Sequence, residues 1–326
     1  MIYKRTDLAL EETEKLIENT MQKNIDDSVK ISEQTKDDIK ITRVEILNED
    51  GAKQLAKPIG TYVTLESDTL NYVENSQRES LCLAIKEELE KIIEIDLSKP
   101  VLVVGLGNRN ITADALGPKT VEQMLVTRHL FENMREVVGE DTASECAIAP
   151  GVLGITGIET MEIVKGVCQR VEPGLVIAVD ALAARKIERI NTTIQISNTG
   201  INPGSGVGNN RKALNRDTLG VDVIAVGVPT VVDALTFSND ALDITLDAIK
   251  RSSKEAKGVL KMLCELKDEE KYALLDEVLS DSVGEMVLTV KEVDLVMNKI
   301  SKVIAGGINT FLQKGMGLEQ IESLTV

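Results

Sequence analysis

The sequence predicts an α/β fold: a doubly wound, mostly parallel sheet flanked by helices, with an N-terminal α+β extension. Three observations carry this. "VLVVGL" (101–106), "LVIAVDA" (175–181) and "VIAVGV" (223–228) are short, unbroken Val/Ile-rich runs, the pattern of strands buried on both faces. Helical patterns, "GPKTVEQMLVTRHLF" and "GIETMEIVKGVCQRV", fall between the first two runs, the second after a short "ECAIA" run. Strand alternating with helix is the order of a doubly wound domain.

The elements follow in chain order. "LALEETEKLIENTMQK" places Leu8, Leu10, Leu16 and Ile17 as the apolar side of a short amphipathic helix in an otherwise polar stretch, residues 1–40. "KITRVEILN" and "GTYVTLES" alternate or are β-branched and read as strands. "SQRESLCLAIKEELEKIIEI" reads as a helix, with Ser80 as N-cap and Leu81, Ile85, Leu89 and Ile92 as its apolar stripe. The α/β core is expected over 95–250. Within it "NTTIQIS" (191–197) alternates, as a strand nearer the edge would. "SNTGINPGSGVGNN" (197–210), with its Gly, Pro and Ser, reads as a long loop, a length that suits either a functional flap or a plain linker. Residues 252–282 are charged and helix-forming and are expected to be mobile in part. Val293, Val296, Ile300, Ile304 and Ile308 recur at helical spacing, so a helix over 290–314 should dock on the core. Gly306-Gly307 would let another backbone approach it.

Composition limits the function. The chain has 326 residues, 43% hydrophobic and 28% charged, with a net charge of −16 and an isoelectric point near 4.7. That balance argues against binding a phosphate backbone directly and against an anionic membrane surface. No apolar run approaches the roughly 18–20 residues of a membrane helix. The N-terminus lacks the apolar centre of a secretion signal. The four cysteines are scattered, and Cys82, Cys168 and Cys264 sit in apolar segments as small core residues. A reduced, cytoplasmic setting is expected. There is one histidine, His129. A three-His zinc site is therefore impossible within one chain, and His129 reads as an ordinary residue of the helix carrying Val121 and Leu125.

The loop after the first apolar run, "VLVVGLGNRNITADALGP", raises the question of a nucleotide. A dinucleotide fingerprint needs Gly-x-Gly-x-x-Gly and an acid about 20 residues on. Gly105 and Gly107 fit, but the third position is Asn110, the acid is missing, and no Walker lysine pattern occurs. No cofactor is expected. The loop instead carries Asp114, and "VIAVDALAAR" carries Asp180 at the end of its strand. In an open parallel sheet ligands bind beyond the carboxyl ends of the strands, so the two acids could meet at one edge. Facing carboxylates cannot both ionise easily; one holds a proton, and the pair can act as acid and base together. The same positions also suit structural roles. Asp114 could cap the helix that follows, and Asp180 could pair with Arg185 or cap a helix of its own. Spacing alone leaves both readings open.

Taken together, "VLVVGLGNRNITADALGPKTVEQMLVTRHLF", "APGVLGITGIET", "VIAVDALAARKIERINTTIQIS", "TGINPGSGVGNNRKALN", "VIAVGVPTVVDA" and "MVLTVKEVDLVMNKISKVIAGGIN" resemble the germination protease (spore protease) family of endospore-forming bacteria. The likeness covers most of the chain and is weakest over 25–95 and 252–282. It implies an atypical aspartic-type endopeptidase, without cofactor or metal, that degrades small acid-soluble spore proteins at germination. The family's paired aspartates fall on Asp114 and Asp180. Asn108 and Glu159, near the strand ends, are candidate supporting residues. "RTDLALEE" (5–12) resembles both the family's propeptide junction and its substrate motif. By that likeness the chain is a zymogen that trims itself between Asp7 and Leu8, leaving residues 1–7 as propeptide and 8–326 as a single catalytic domain. A homotetramer in the forespore or spore core is also implied. The opening loop is similar, too, to the first loop of hydrogenase-maturation endopeptidases, whose acids hold a metal with a later His. His129 does not fall where that His would. A metal-assisted maturation-type endopeptidase and a non-catalytic spore-protein binder are the alternatives.

Overall fold

The structure, a computed structural model, describes residues 6–20, 27–70, 75–134, 139, 141–203, 211–252, 266, 268–283 and 286–325. Among the described residues nine strands form one sheet: β1 Val29–Lys36, β2 Ile39–Ile46, β3 Gly60–Glu66, β4 Val101–Gly105, β5 Glu145–Ile148, β6 Leu175–Ala184, β7 Thr193–Ser197, β8 Asp222–Asp233 and β9 Val287–Leu288. Their spatial order is β1-β2-β3-β7-β8-β6-β4-β5, with β9 beside β8.

The α/β class holds, but the sheet is mixed rather than mostly parallel. Only β5-β4-β6-β8 is parallel, whereas β1, β2, β3, β7 and β9 pair antiparallel. The physical cause lies in the connections. β1 and β2 are joined by Asp37 and Asp38, both left-handed at φ 50° and 62°, a turn that returns the chain at once and admits only antiparallel pairing. The N-terminal extension therefore lengthens the sheet instead of forming a layer of its own. β7 is no edge strand: it lies between β3 and β8 and is buried along its length.

Both faces of the parallel part are covered. On one face Val101, Val103, Ile177, Val179, Ile224 and Val226 pack with Leu81, Ile85, Leu89, Ile300, Ile304 and Ile308. These last belong to the helices Asn75–Ile92 and Val293–Leu312. On the other face Leu102, Val104, Val176 and Ala178 pack with Val164 and Cys168 of the helix Thr160–Val171. The Val/Ile-rich runs are thus buried because alternate residues meet different helices.

Two local expectations change. The helix over 75–92 begins at Asn75, so Ser80 lies inside it and does not cap it. The segment after Gly117 forms two short helices, Leu116–Val121 and Arg128–Asn133, not one. Asn309 of the C-terminal helix donates to the Gln123 carbonyl and accepts from Leu125 N–H, which occupies the backbone where helix would have continued. Gly306 and Gly307 do mark a close approach: a β-carbon would stand 2.7 Å from Cys82 Sγ or from Ile85 Cβ. Of the 252–282 segment the structure describes Ser252, the last residue of the helix Ala234–Ser252, then Leu266, and the helix Asp268–Val283. Residues 253–265, with Cys264, lie outside the described residues, as do 1–5 of the N-terminus and 204–210 of the Gly-rich loop. No helix among the described residues is long and apolar enough to cross a membrane.

Candidate active site

The winding of the chain reverses at β4. From β4 it runs outward to β5, then returns to β6 on the other side of β4. Such a switch point opens a crevice beyond the carboxyl ends of the two strands that part. A cavity of about 220 Å³ lies there, lined among others by Asp114, Asp180, Asp7, Arg211 and Thr230.

Asp114 reaches it from a tight turn. Gly107, at φ 108°, folds the loop back so closely that a β-carbon would lie 2.0 Å from the Asp114 carbonyl oxygen. The Asn108 backbone N–H then donates to the Asp114 carboxylate at 2.8 Å. The helix beyond is capped at Ala115 without any side-chain bond, so Asp114 is not an N-cap. A neighbouring strand pins the turn from the far side. β8 carries one extra residue against β6 between Leu182 and Ala183; that residue is Thr230, whose hydroxyl donates to the Ala113 carbonyl at 2.6 Å. Bulges of this kind re-aim side chains beside functional sites.

Asp180 is not at the end of its strand, because β6 continues to Ala184. It is, however, the first residue beyond the reach of β4, whose last residue, Gly105, pairs with Val179. Asp180 is 5% exposed and accepts from the N–H of Ala181 at 2.9 Å. Burial, then the negative charges of Asp114 and Asp7, push its carboxyl well above the usual carboxylate range. Burial also raises Asp114, against the Asn108 N–H and the Arg211 guanidinium. A carboxyl that is buried and flanked by acids holds its proton to higher pH than a free carboxyl does. Arg185 is not among the groups acting on its charge, which are Asp114, Asp7 and the Ala181 N–H.

The N-terminal segment is laid across this edge. Asp180, Leu182 and Ala184 alternate onto one face of β6, and fully buried Leu8 packs on that face against Leu182, Ala184, Ile190 and Val232. Asp7 pairs with β6, its N–H donating to the Ala183 carbonyl and its carboxylate accepting from the Ala183 N–H, each at 2.9 Å. Four residues on, the Glu11 carboxylate accepts from the backbone N–H groups of Arg185 and Lys186 at 2.7 and 2.9 Å, and the Thr6 hydroxyl also donates to it.

The structure thus brings Asp114, Asp180 and Asp7 to one cavity. Asn108 acts through its backbone, while its side chain accepts from Asn110 N–H within the loop. Glu159 does not line the cavity; Thr160, the next residue, does. Helix geometry explains the difference, since Glu159 is only the N-cap position of Thr160–Val171. His129 is exposed on its helix away from the cavity. Of the Gly-rich loop, Pro203 and Arg211, on either side of 204–210, reach the cavity. Among the described residues no group of three or more His, Cys, Asp or Glu side chains converges to hold a metal ion. Sequence reading missed Arg211 and Thr230. Pro229-Thr230 inside an apolar strand was the available signal for the bulge; nothing local marks Arg211.

Comparison with known proteins finds matches over nearly the whole chain. A family model described as germination protease matches residues 4–264 and 250–325. The chain is 47% identical to the germination protease of Clostridium acetobutylicum, covering 97% of each chain. It is 47% identical to that of Clostridium tetani, covering 98% of each. To that of Priestia megaterium it is 40% identical, over 98% of this chain and 96% of the relative.

Proposed function

The chain belongs to the germination protease family, and from that premise we propose that it is an aspartic-type endopeptidase that initiates degradation of small acid-soluble spore proteins. We further propose that it is made as a zymogen that cuts itself between Asp7 and Leu8, and that it works as a homotetramer in the forespore or spore core. The observation that supports this reading is the shared cavity. Asp180 is buried and raised by the charges of Asp114 and Asp7, and Asp7, the residue before the bond to be cut, lines the same space.

In the reaction the ionised carboxylate of the pair takes a proton from water, and the water oxygen bonds to the carbonyl carbon. The carbonyl electron pair moves onto its oxygen. The protonated carboxyl supplies a proton toward the leaving nitrogen, the C–N bond breaks, and the carbonyl re-forms. One water is consumed and a carboxyl and an amine are released, with the pair's proton count restored. Asp114, half-buried and close to Arg211, suits the base; Asp180, more strongly raised, suits the acid.

Asp114→Asn and Asp180→Asn should each stop both self-processing and cleavage of a purified small acid-soluble spore protein, with the far-ultraviolet circular dichroism unchanged. Full activity in either variant removes the dyad. A mature N-terminus other than Leu8, read by mass spectrometry, removes the junction. Sedimentation velocity of the purified chain tests the tetramer.

A further inference from the structure

Two donors converge on the main-chain oxygen of Asp7. Lys57 Nζ donates to it at 2.9 Å and to the Thr6 carbonyl at 3.4 Å. Gln195 Nε2 donates to it at 3.1 Å, while Gln195 Oε1 accepts from the Ala9 N–H at 2.7 Å. The one Gln195 amide therefore spans the Asp7–Leu8 bond, gripping the carbonyl before Leu8 and the N–H after it. Neither Lys57 nor Gln195 has a part in the carboxylate chemistry described above.

We infer that Lys57 and Gln195 are the oxyanion clamp of the self-processing reaction. The inference rests on the proposed reading that Asp7–Leu8 is the bond cut. When water adds to the Asp7 carbonyl carbon, the displaced electron pair settles on the oxygen these two groups already hold. Preorganised donors aimed at developing charge contribute most where water is excluded, and both donors here are fixed in advance. Gln195 sits in β7, paired with Gly227 of β8 and Thr64 of β3, and is 8% exposed. Lys57 follows the left-handed residue Ala56 that ends the helix Glu49–Leu55, with its own N–H bound to the Ala52 carbonyl at 3.2 Å. Burial pushes the Lys57 ammonium down, against the pull of Asp7, Glu12 and Glu11. A desolvated cation gains more from a full negative charge than from a neutral carbonyl. The contact is therefore stronger in the transition state than in the ground state, as catalysis requires.

The test uses the full chain with Lys57→Met, which keeps the stem and removes the ammonium, and Gln195→Glu. The latter keeps an acceptor for Ala9, removes the donor to Asp7 and, when ionised, sets a negative charge against the developing oxyanion. The first-order appearance of the Leu8 N-terminus is followed by mass spectrometry. Cleavage in trans of a synthetic peptide of residues 1–14 gives kcat and KM separately. Each variant should lose roughly 10²–10³ in rate, the loss falling on kcat rather than KM, and Lys57→Arg should recover part of it. If the wild type exposes Leu8 and both variants keep pace within threefold, or run faster as a released lock would, the clamp is overturned while the proteolytic function stands. If the wild type never exposes Leu8, the clamp falls together with the assigned junction. Should Lys57→Met fail to fold, the isosteric Gln195→Glu decides alone.

Discussion

A β-carbon on Gly107 would stand 2.0 Å from the carbonyl oxygen of Asp114 and 2.9 Å from its carboxylate. The glycine is there so that the loop can close on the acid, and no phosphate is needed to account for it. Its left-handed φ of 108° reinforces the demand, since side chains are strained there. Gly105 and Gly117 do related work: a β-carbon on either would lie 2.2–2.3 Å from backbone oxygen of the other's segment, so they let helix Leu116–Val121 sit tight against the end of β4.

The first prediction concerns that closure. Gly107→Ala should lower self-processing by on the order of 10²-fold, the cost of displacing a reacting group by about 1 Å. Far-ultraviolet circular dichroism should change little, because the affected turn lies beyond the sheet. A variant that processes at the wild-type rate would separate the loop's shape from catalysis.

The second concerns pH. The Asp180 carboxyl is raised by burial and by Asp114 and Asp7, so a pair that must hold one proton loses activity as pH rises through that elevated range. Asp7→Asn removes one of the two charges but keeps an oxygen to accept from the Ala183 N–H. The alkaline fall of the self-processing rate should therefore move to lower pH. Rate-against-pH curves for the two proteins check this; an unmoved or upward-shifted limb contradicts the electrostatic coupling.

The third lies outside the cavity. Glu145 is fully buried, bound by Gln313 Nε2 at 3.2 Å, and burial lifts its carboxyl from 4.5 to about 8. With the folded value above the unfolded one, its contribution is fully present below about pH 4.5. It is lost as pH rises toward about 8. Glu145→Gln stays neutral throughout and should escape that loss. The melting-temperature difference, variant minus wild type, should grow from pH 5 to pH 8 by roughly 2 °C or more per unit. Parallel melting curves would show that Glu145 does not titrate in this window.

Much of the frame was legible in the residues. The Val/Ile runs located β4, β6 and β8 because burial on both faces leaves no polar alternation, and Leu81, Ile85 and Leu89 located a helix because one face alone is covered. The sheet's mixed direction was not legible, since it depends on which strands meet; β7 reads as a half-exposed strand by alternation, yet β3 and β8 enclose it. Of the site, Asp114 and Asp180 stood out as the acids that follow buried apolar runs. Glu159 shared that signal and stayed outside the cavity, because the facing direction of a loop residue is set by its neighbours in space.

By itself, then, the sequence determined the α/β class and the principal strands, which follow from short-range hydrophobic patterning, and it marked Asp114 and Asp180 as candidates without separating a catalytic role from a capping one. Only the tertiary structure decided that Asp114 and Asp180 share one cavity, that Thr230 bulges to hold the turn, and that Lys57 and Gln195 meet on the carbonyl of Asp7. Those contacts join residues far apart in the chain, and no local periodicity encodes which distant side chains a folded sheet will bring to the same edge.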